Sequence, residues 1–309
     1  MDIFSSTLNQ TAFLFSLIIV GYILVKIKIL PDNAATVLSR LENNVFVPAL
    51  VMKTFFENFT VERIGAAADL FVISAVILVF VVPFAIFTSK ALSRDKYIQR
   101  IYTYGLAFSN FGFMGNAVVS SLFPDIFFEY LIFTLPLWTL IYLWGVPRLL
   151  IADANKKQSF KENLKAFLNP MFLGMLLGMI VGIFKIPLPA FFTSLVKSAS
   201  DCMSPVAMLL TGIVVSSISL KKTFSSVRLY IISIIRLIVM PLIFMGIALF
   251  FKMDETLYIC AVCSLAMPLG LNTIVIPSGL GKDTTDAAGM AVISHLLSCI
   301  TIPIIFALI

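Results

Sequence analysis

The sequence predicts an all-α polytopic membrane protein. Ten transmembrane helices form two inverted five-helix repeats, with broken, crossing helices at spans four and nine. Three observations carry this. Hydrophobic residues make up 60% of the 309, charged residues 12%, and the mean hydropathy is +1.04. A soluble globule uses roughly 45–50% apolar and about 25% charged residues, so lipid must be the main solvent here. Ten apolar runs of membrane-crossing length follow one another, and punctuating residues recur between the halves at a nearly constant offset. The composition excludes a cytosolic enzyme, a secreted disulfide scaffold and a disordered regulator. The net charge of +6 is no nucleic-acid signature, because the cations lie in short clusters between apolar runs, and no nucleic-acid partner is expected. Cys202, Cys260, Cys263 and Cys299 read as small buried hydrophobes; Cys260 and Cys263 lack the second ligand pair that a zinc site needs.

A membrane helix needs ~20 mostly apolar residues to cross ~30 Å of hydrocarbon. The runs are 10–30, 41–57, 66–88, 100–122, 130–151, 169–186, 200–219, 229–251, 256–279 and 288–309. The first ends at Lys26 and Lys28 without a small-residue cleavage site, as a retained helix does and a signal peptide does not. With both termini outside, the inner segments hold sixteen Lys and Arg residues and the outer segments five, the bias of the positive-inside rule. The expected location is a cell membrane, plasma or inner. Residues 1–151 form the first repeat, 152–168 a cytoplasmic linker with four lysines, and 169–309 the second repeat.

Gly21 corresponds to Gly178, Lys28-Ile29 to Lys185-Ile186, and Pro48 to Pro205, all 157 residues apart. Pro83 matches Pro241 at 158, and Asn116 matches Asn272 at 156. A unit with an odd number of spans places its second copy upside down, and Lys28 accordingly falls inside while Lys185 falls outside. Inverted repeats characterise secondary transporters, whose halves exchange inward-open and outward-open states.

Helix breakers in mid-span mark places that face protein or a cavity, since a freed backbone group in lipid costs several kcal/mol. Span four contains Asn110-Phe111-Gly112-Phe113-Met114-Gly115-Asn116, and span nine Met267-Pro268-Leu269-Gly270-Leu271-Asn272-Thr273. If both break and cross, the half-helix N-termini present N–H groups and partial positive charge, a site for an anion. Asn110, Gly112, Asn116, Pro268, Asn272 and Thr273 are therefore the candidate substrate-binding residues. The competing reading is that small residues and asparagines only let helices pack.

Pro48 and Pro205, preceded by Asn43-Asn44 and by Asp201 with Ser204, either kink spans two and seven toward the same cavity or shape a scaffold. Asn44, Pro48 and Pro205 are the candidates on the scaffold side. Arg236 is costly in hydrocarbon; it either pairs with a substrate carboxylate or forms a structural bridge. His295, the only histidine, reads as a packed, hydrogen-bonded residue rather than a proton relay. Asp69 and Asp201 fall near outer ends, and Trp138, Tyr142 and Trp144 read as packing residues. No nucleotide-binding loop, metal motif, mid-span carboxylate pair or catalytic pairing is visible, so neither enzyme activity nor a cofactor is expected.

At the two interrupted runs the chain resembles the auxin efflux carrier family, the mostly bacterial relatives of plant PIN auxin exporters that include malate and malonate permeases. The resemblance covers nearly the whole chain and rests on residues 110–115, residues 267–272 and the five-plus-five arrangement. It implies an NhaA-like elevator, with spans 1, 2, 6 and 7 as a dimerising scaffold and spans 3–5 and 8–10 as a moving transport domain. Substrate would sit at the crossing of spans four and nine. The chain departs from the family in having Asn116-Ala117 where a proline often follows the span-four glycines. The expected function is secondary transport of a small organic anion, a mono- or dicarboxylate such as malate, malonate or an auxin-like acid. Arg236 would offset its charge, and coupling to H+ or Na+ stays open. The rivals are a sodium-coupled symporter of the bile-acid type and an anion channel.

Overall fold

The structure, a computed structural model, describes residues 3–31, 33–61, 68–152 and 170–309; the expected linker falls outside these except for Ala152. Every regular element among the described residues is a helix. Six helices are long and apolar enough to cross a membrane: Phe4–Lys26, Ala68–Leu92, Pro124–Ile151, Ala190–Ser216, Val227–Phe251 and Thr285–Phe306. Their lipid-like exterior is plain on the surface, where Phe80, Phe87, Leu249 and Phe250 are each more than two-thirds exposed.

In chain order, α1 is Ile3–Lys26. Helix α2 (Ala34–Leu41) continues through a π turn, Glu42–Phe46, into α3 (Val47–Asn58). Next come α4 (Ala68–Leu92), α5 (Lys96–Ala107), a π turn at Phe111–Gly115, and α6 (Asn116–Leu122). Helix α7 (Phe127–Leu140) runs into a π-helical stretch, Ile141–Ile151. Then follow α8 (Pro170–Phe184), α9 (Ala190–Ser216) and the short α10 (Leu220–Phe224). Helix α11 (Val227–Ile234) passes through a π turn, Ile235–Val239, into α12 (Met240–Phe251). The chain closes with α13 (Glu255–Leu265), α14 (Asn272–Gly279) and α15 (Thr285–Phe306). Two of the π turns stand just ahead of prolines, Pro48 and Pro241. A widened turn relieves the clash of the ring with the carbonyl one turn back.

Three starts differ most from expectation, the first being α1, which begins at Ile3 rather than at 10. The α2–α3 helix starts at Ala34 rather than at 41, because no Pro or Gly stands between Asn33 and Leu41, so Arg40 is carried into it. Helix α9 starts at Ala190 rather than at 200, directly after Pro189, which leaves Thr193, Ser194 and Lys197 helical.

The most extensive helix contacts are α8 with α3 and α1 with α9. Gly21 of α1 sits against the Leu209 carbonyl of α9, and Gly178 of α8 against the Met52 carbonyl of α3, 2.6 Å from where a Cβ would stand. Gly178 lies 157 residues beyond Gly21, and Leu209 lies 157 residues beyond Met52, so one contact is made twice: Gly21 with Leu209, and Gly178 with Met52. The helix ends repeat as well. Lys28 (φ 60°) and Lys185 (φ 47°) both take the left-handed conformation. Ile29 donates to the Leu24 carbonyl at 3.0 Å, and Ile186 to the Val181 carbonyl at 3.1 Å, the same helix-ending loop at the same offset.

A side chain at Gly178 must push two backbones apart, whereas Gly246 has open space around its missing Cβ. Gly178→Leu should destabilise the folded protein by about 1–3 kcal/mol, and Gly246→Ala should be neutral or stabilising by up to about 1 kcal/mol. Thermal unfolding of the detergent-solubilised protein checks both.

Candidate functional site

Helix α5 stops at Ala107 because Phe108 turns to an extended conformation (φ −119°, ψ 105°). After Asn110 the chain becomes helical again through the π turn and α6. Helix α13 stops at Leu265, and α14 starts only at Asn272. The two interruptions lie across one another. Ser109 and Leu269 form an isolated antiparallel bridge, and the Asn110 N–H donates to the Pro268 carbonyl at 2.8 Å. Gly270 permits the crossing, since a Cβ there would stand 2.5 Å from the Phe108 carbonyl.

Breaking two helices leaves carbonyls on one side of the crossing and N–H groups on the other. Arg236, buried at 1% exposure, meets the carbonyl side. Its Nη1 donates to Leu106 at 2.8 Å, Nη2 to Ser264 at 3.1 Å and Nε to Met267 at 3.4 Å. Ser109 Oγ adds a second donor to the Ser264 carbonyl at 2.7 Å. Of the two roles the sequence allowed Arg236, the geometry is that of the structural bridge. Cations suit helix C-termini, and its donors are aimed at main chain rather than at a cavity that could hold a solute.

The N–H side holds the asparagines. Asn110 Nδ2 stands 2.9 Å from His295 Nε2, and His295 Nδ1 stands 2.8 Å from the Ala291 carbonyl. A carbonyl only accepts, so Nδ1 carries the proton and Nε2 accepts from the Asn110 amide. That orientation leaves Asn110 Oδ1 buried without a partner. Asn272 Nδ2 donates to the Tyr104 hydroxyl at 2.8 Å, and its Oδ1 is likewise unpaired, as is Oδ1 of Asn116. Thr273 Oγ1 is turned back onto the Gly270 carbonyl at 2.8 Å. Trp138 Nε1 and the Tyr142 hydroxyl are also buried without partners. Trp138 covers Gly112, where a Cβ would stand 2.5 Å from the indole. Tyr104, Gly112, Trp138, Gly270 and Asn272 enclose a recess of about 10 Å³, room for no more than one water.

On the other side of Gly112 lies a larger cavity of about 300 Å³. Gly112 and Asn116 line it from the broken helix, Phe127 and Leu131 from α7, Lys53, Thr54, Glu57 and Asn58 from α3, and Ser200, Asp201 and Ser204 from α9. Lys53 Nζ pairs with Asp201 at 3.6 Å. The cavity thus lies between the α3–α9 pair and the interrupted span. At the other end of the α2–α3 helix there is no such gap. Ser39 Oγ and Asn43 Nδ2 (3.1 Å) both donate to the Val275 carbonyl of α14, and Gly279 leaves room for them.

The crossing therefore gathers Asn110, Pro268, Asn272 and Thr273, and the cavity holds Gly112 and Asn116. The three scaffold candidates do not line the cavity. Asn44 is exposed and donates to its own helix at the Arg40 carbonyl, 2.7 Å. Pro48 rests its carbonyl on Gly174 of α8, which is scaffold packing. Pro205 is inside α9, one residue beyond the lining Ser204. Sequence reasoning missed Lys53, Glu57 and Tyr104. A charged pair four residues apart in an otherwise apolar run was the signal for the first two. It missed Glu42 too, fully buried with both carboxyl oxygens unpartnered.

A bridge across broken helices should fail as structure before it fails as chemistry. Arg236→Met should destabilise the protein by about 3 kcal/mol or more and reduce the folded fraction, with Arg236→Lys intermediate. Thermal unfolding and gel-filtration recovery test this; a folded Arg236→Met that only loses substrate would contradict it.

A family model described as membrane transport protein matches residues 6–306. No curated protein matches the chain.

Proposed function

Since the chain belongs to the membrane transport protein family, that of the auxin efflux carriers, we propose that it is a secondary carrier of small organic anions, mono- or dicarboxylates. Ten spans form two inverted five-helix repeats, with α1–α3, α8 and α9 as scaffold and the remaining helices as transport domain. The twice-made glycine contact and the twice-made helix end support the repeat. The protein resides in a cell membrane with both termini outside and works as a homodimer by an elevator movement.

One observation carries this reading: a 300 Å³ cavity between scaffold and broken helix, with a bonded seam at the other end of the α2–α3 helix. That is one half of an alternating-access cycle. Substrate enters the cavity past Lys53, its carboxylate displacing Asp201, and docks against Asn116 and the N-terminal side of the crossing. Asn272 and Asn110 receive it once Trp138 moves off Gly112. Arg236 serves this site indirectly, by holding the crossing in shape. A second reading has its own observation. Three buried asparagine oxygens without donors suit a cation, which favours sodium as co-substrate.

Counterflow in proteoliposomes preloaded with carboxylates tests the carrier; a flux that neither saturates nor shows counterflow would make it a channel. Replacing sodium separates the coupling ions. Asn116→Ala and Asn272→Ala should each lower uptake about 10–100-fold with folded protein still in the membrane. Full activity in both removes the crossing as the site. Asp201→Asn should lower the half-saturating concentration and Lys53→Gln should raise it, each by about 3–10-fold, as expected of charges in partly hydrated surroundings.

A further inference from the structure

Glu42 takes no part in the proposed transport path, lining neither the recess at the crossing nor the larger cavity. It is fully buried, and neither carboxyl oxygen has a hydrogen-bond partner. Its surroundings leave it unpaired in charge as well. The π turn that carries it packs chiefly on α2, α3, α8, α9 and α14. Helices α8 and α14 have no titratable side chain. On its own helix Arg40 is exposed, and Lys53 and Glu57 lie about three turns or more further on. Helix α9 offers Lys197, Asp201 and the exposed Cys202, and Asp201 is at the level of Lys53, with which it pairs. No ion pair reaches Glu42 among the described residues. A carboxylate buried without donor or cation is very costly, and a carboxylic acid in the same place far less so. The neutral, protonated form is the one that this burial permits.

The place of that proton gives it a use. Glu42 is three residues beyond Ser39 and next to Asn43, the two residues whose side chains bond the Val275 carbonyl of α14. Residues three apart are neighbours on a helix surface, so Glu42 stands at the flank of this seam. Gly279 of α14 lies against both seam side chains. A seam that parts takes α14 away from the π turn and admits water to it. Water solvates a carboxylate, so the proton then passes from the Glu42 carboxyl to water and leaves the anion behind. The closed seam thus binds one proton more than the open one. By linkage, acid favours the closed form and alkali the open form, by about tenfold per pH unit while the two differ by one proton.

We propose that Glu42 is the proton-binding switch of the α2–α14 seam, keeping it shut when protonated and letting it part when ionised. In the proposed orientation the seam is on the cytoplasmic side, so the switch reads internal pH. The open form that it acts on rests on the carrier reading above. Spin labels at Arg40→Cys and Leu280→Cys, exposed positions on either side of the seam, report its width in the full chain carrying Cys202→Ser and Cys299→Ser. Electron–electron distance measurements at about pH 6 and about pH 8 should show the separated population growing about tenfold per unit. Glu42→Gln, the neutral isostere, and Glu42→Met, with no group to titrate, should each keep one distribution at both pH values. Identical distances at both pH values in the unsubstituted Glu42 protein, or a response that survives in either variant, overturns the switch. Unfolding midpoints of the two variants should equal or exceed that of the parent; a fall in both means that the carboxyl is paired in the native state, which also overturns it. Counterflow is scored on the same preparations. A responsive seam without counterflow removes the carrier and keeps the switch, whereas counterflow with an unresponsive seam removes the switch alone.

Discussion

Everything in this molecule answers to the cost of freed backbone groups in the middle of an apolar protein. Breaking two helices at one level releases carbonyls on one side and N–H groups on the other. Arg236 and Ser109 satisfy the carbonyl side almost completely. A guanidinium at that depth is expensive alone, and so are three orphan carbonyls; together they cancel much of each other's cost. With the carbonyl side closed, the polarity left over is concentrated on the opposite face. There the amide oxygens of Asn110, Asn116 and Asn272 lie buried without donors. The arginine thus leaves the unpaired polarity of the crossing on the asparagine side.

The helices were legible because lipid imposes a simple code. Apolar runs showed nearly every described helix, and Pro, Gly and Asn clusters showed where two of them break. Edges were less legible. Ala34–Leu41 and Ala190–Ser200 are helical despite their polar residues, since helix ends depend on punctuation such as Pro189 rather than on apolarity. For the site, the asparagine and glycine positions were readable, but side-chain directions were not. Arg236 was recognisable as costly, yet only three-dimensional neighbours reveal that it faces Leu106, 130 residues away. Lys53 counted only as one of the five outer cations and Glu57 was not singled out, because nothing in one dimension places α3 across a gap from Gly112.

The surface carries a polarity of its own. At one end of the α4 helix Lys90, Lys96 and Arg100 line a recess; at its other end Asp69, Glu129 and Asp254 line a cavity of about 560 Å³ with no cation among the described lining residues. The two therefore sit at opposite ends of one apolar helix, acidic where the chain enters it and basic where it leaves. In the proposed orientation this matches the bias that fixes a polytopic chain in its membrane.

The seam between α2 and α14 has a further consequence. It consists of two side-chain donors sharing one carbonyl, Val275, and bonds of that kind contribute about 1 kcal/mol each. Together they contribute about 2 kcal/mol, a few times thermal energy, toward holding α2 against α14. In a carrier of the proposed kind, such a seam would bias one resting posture without locking it. The traffic across such a machine is set by the concentrations on either side of it, and the protein itself imposes little direction.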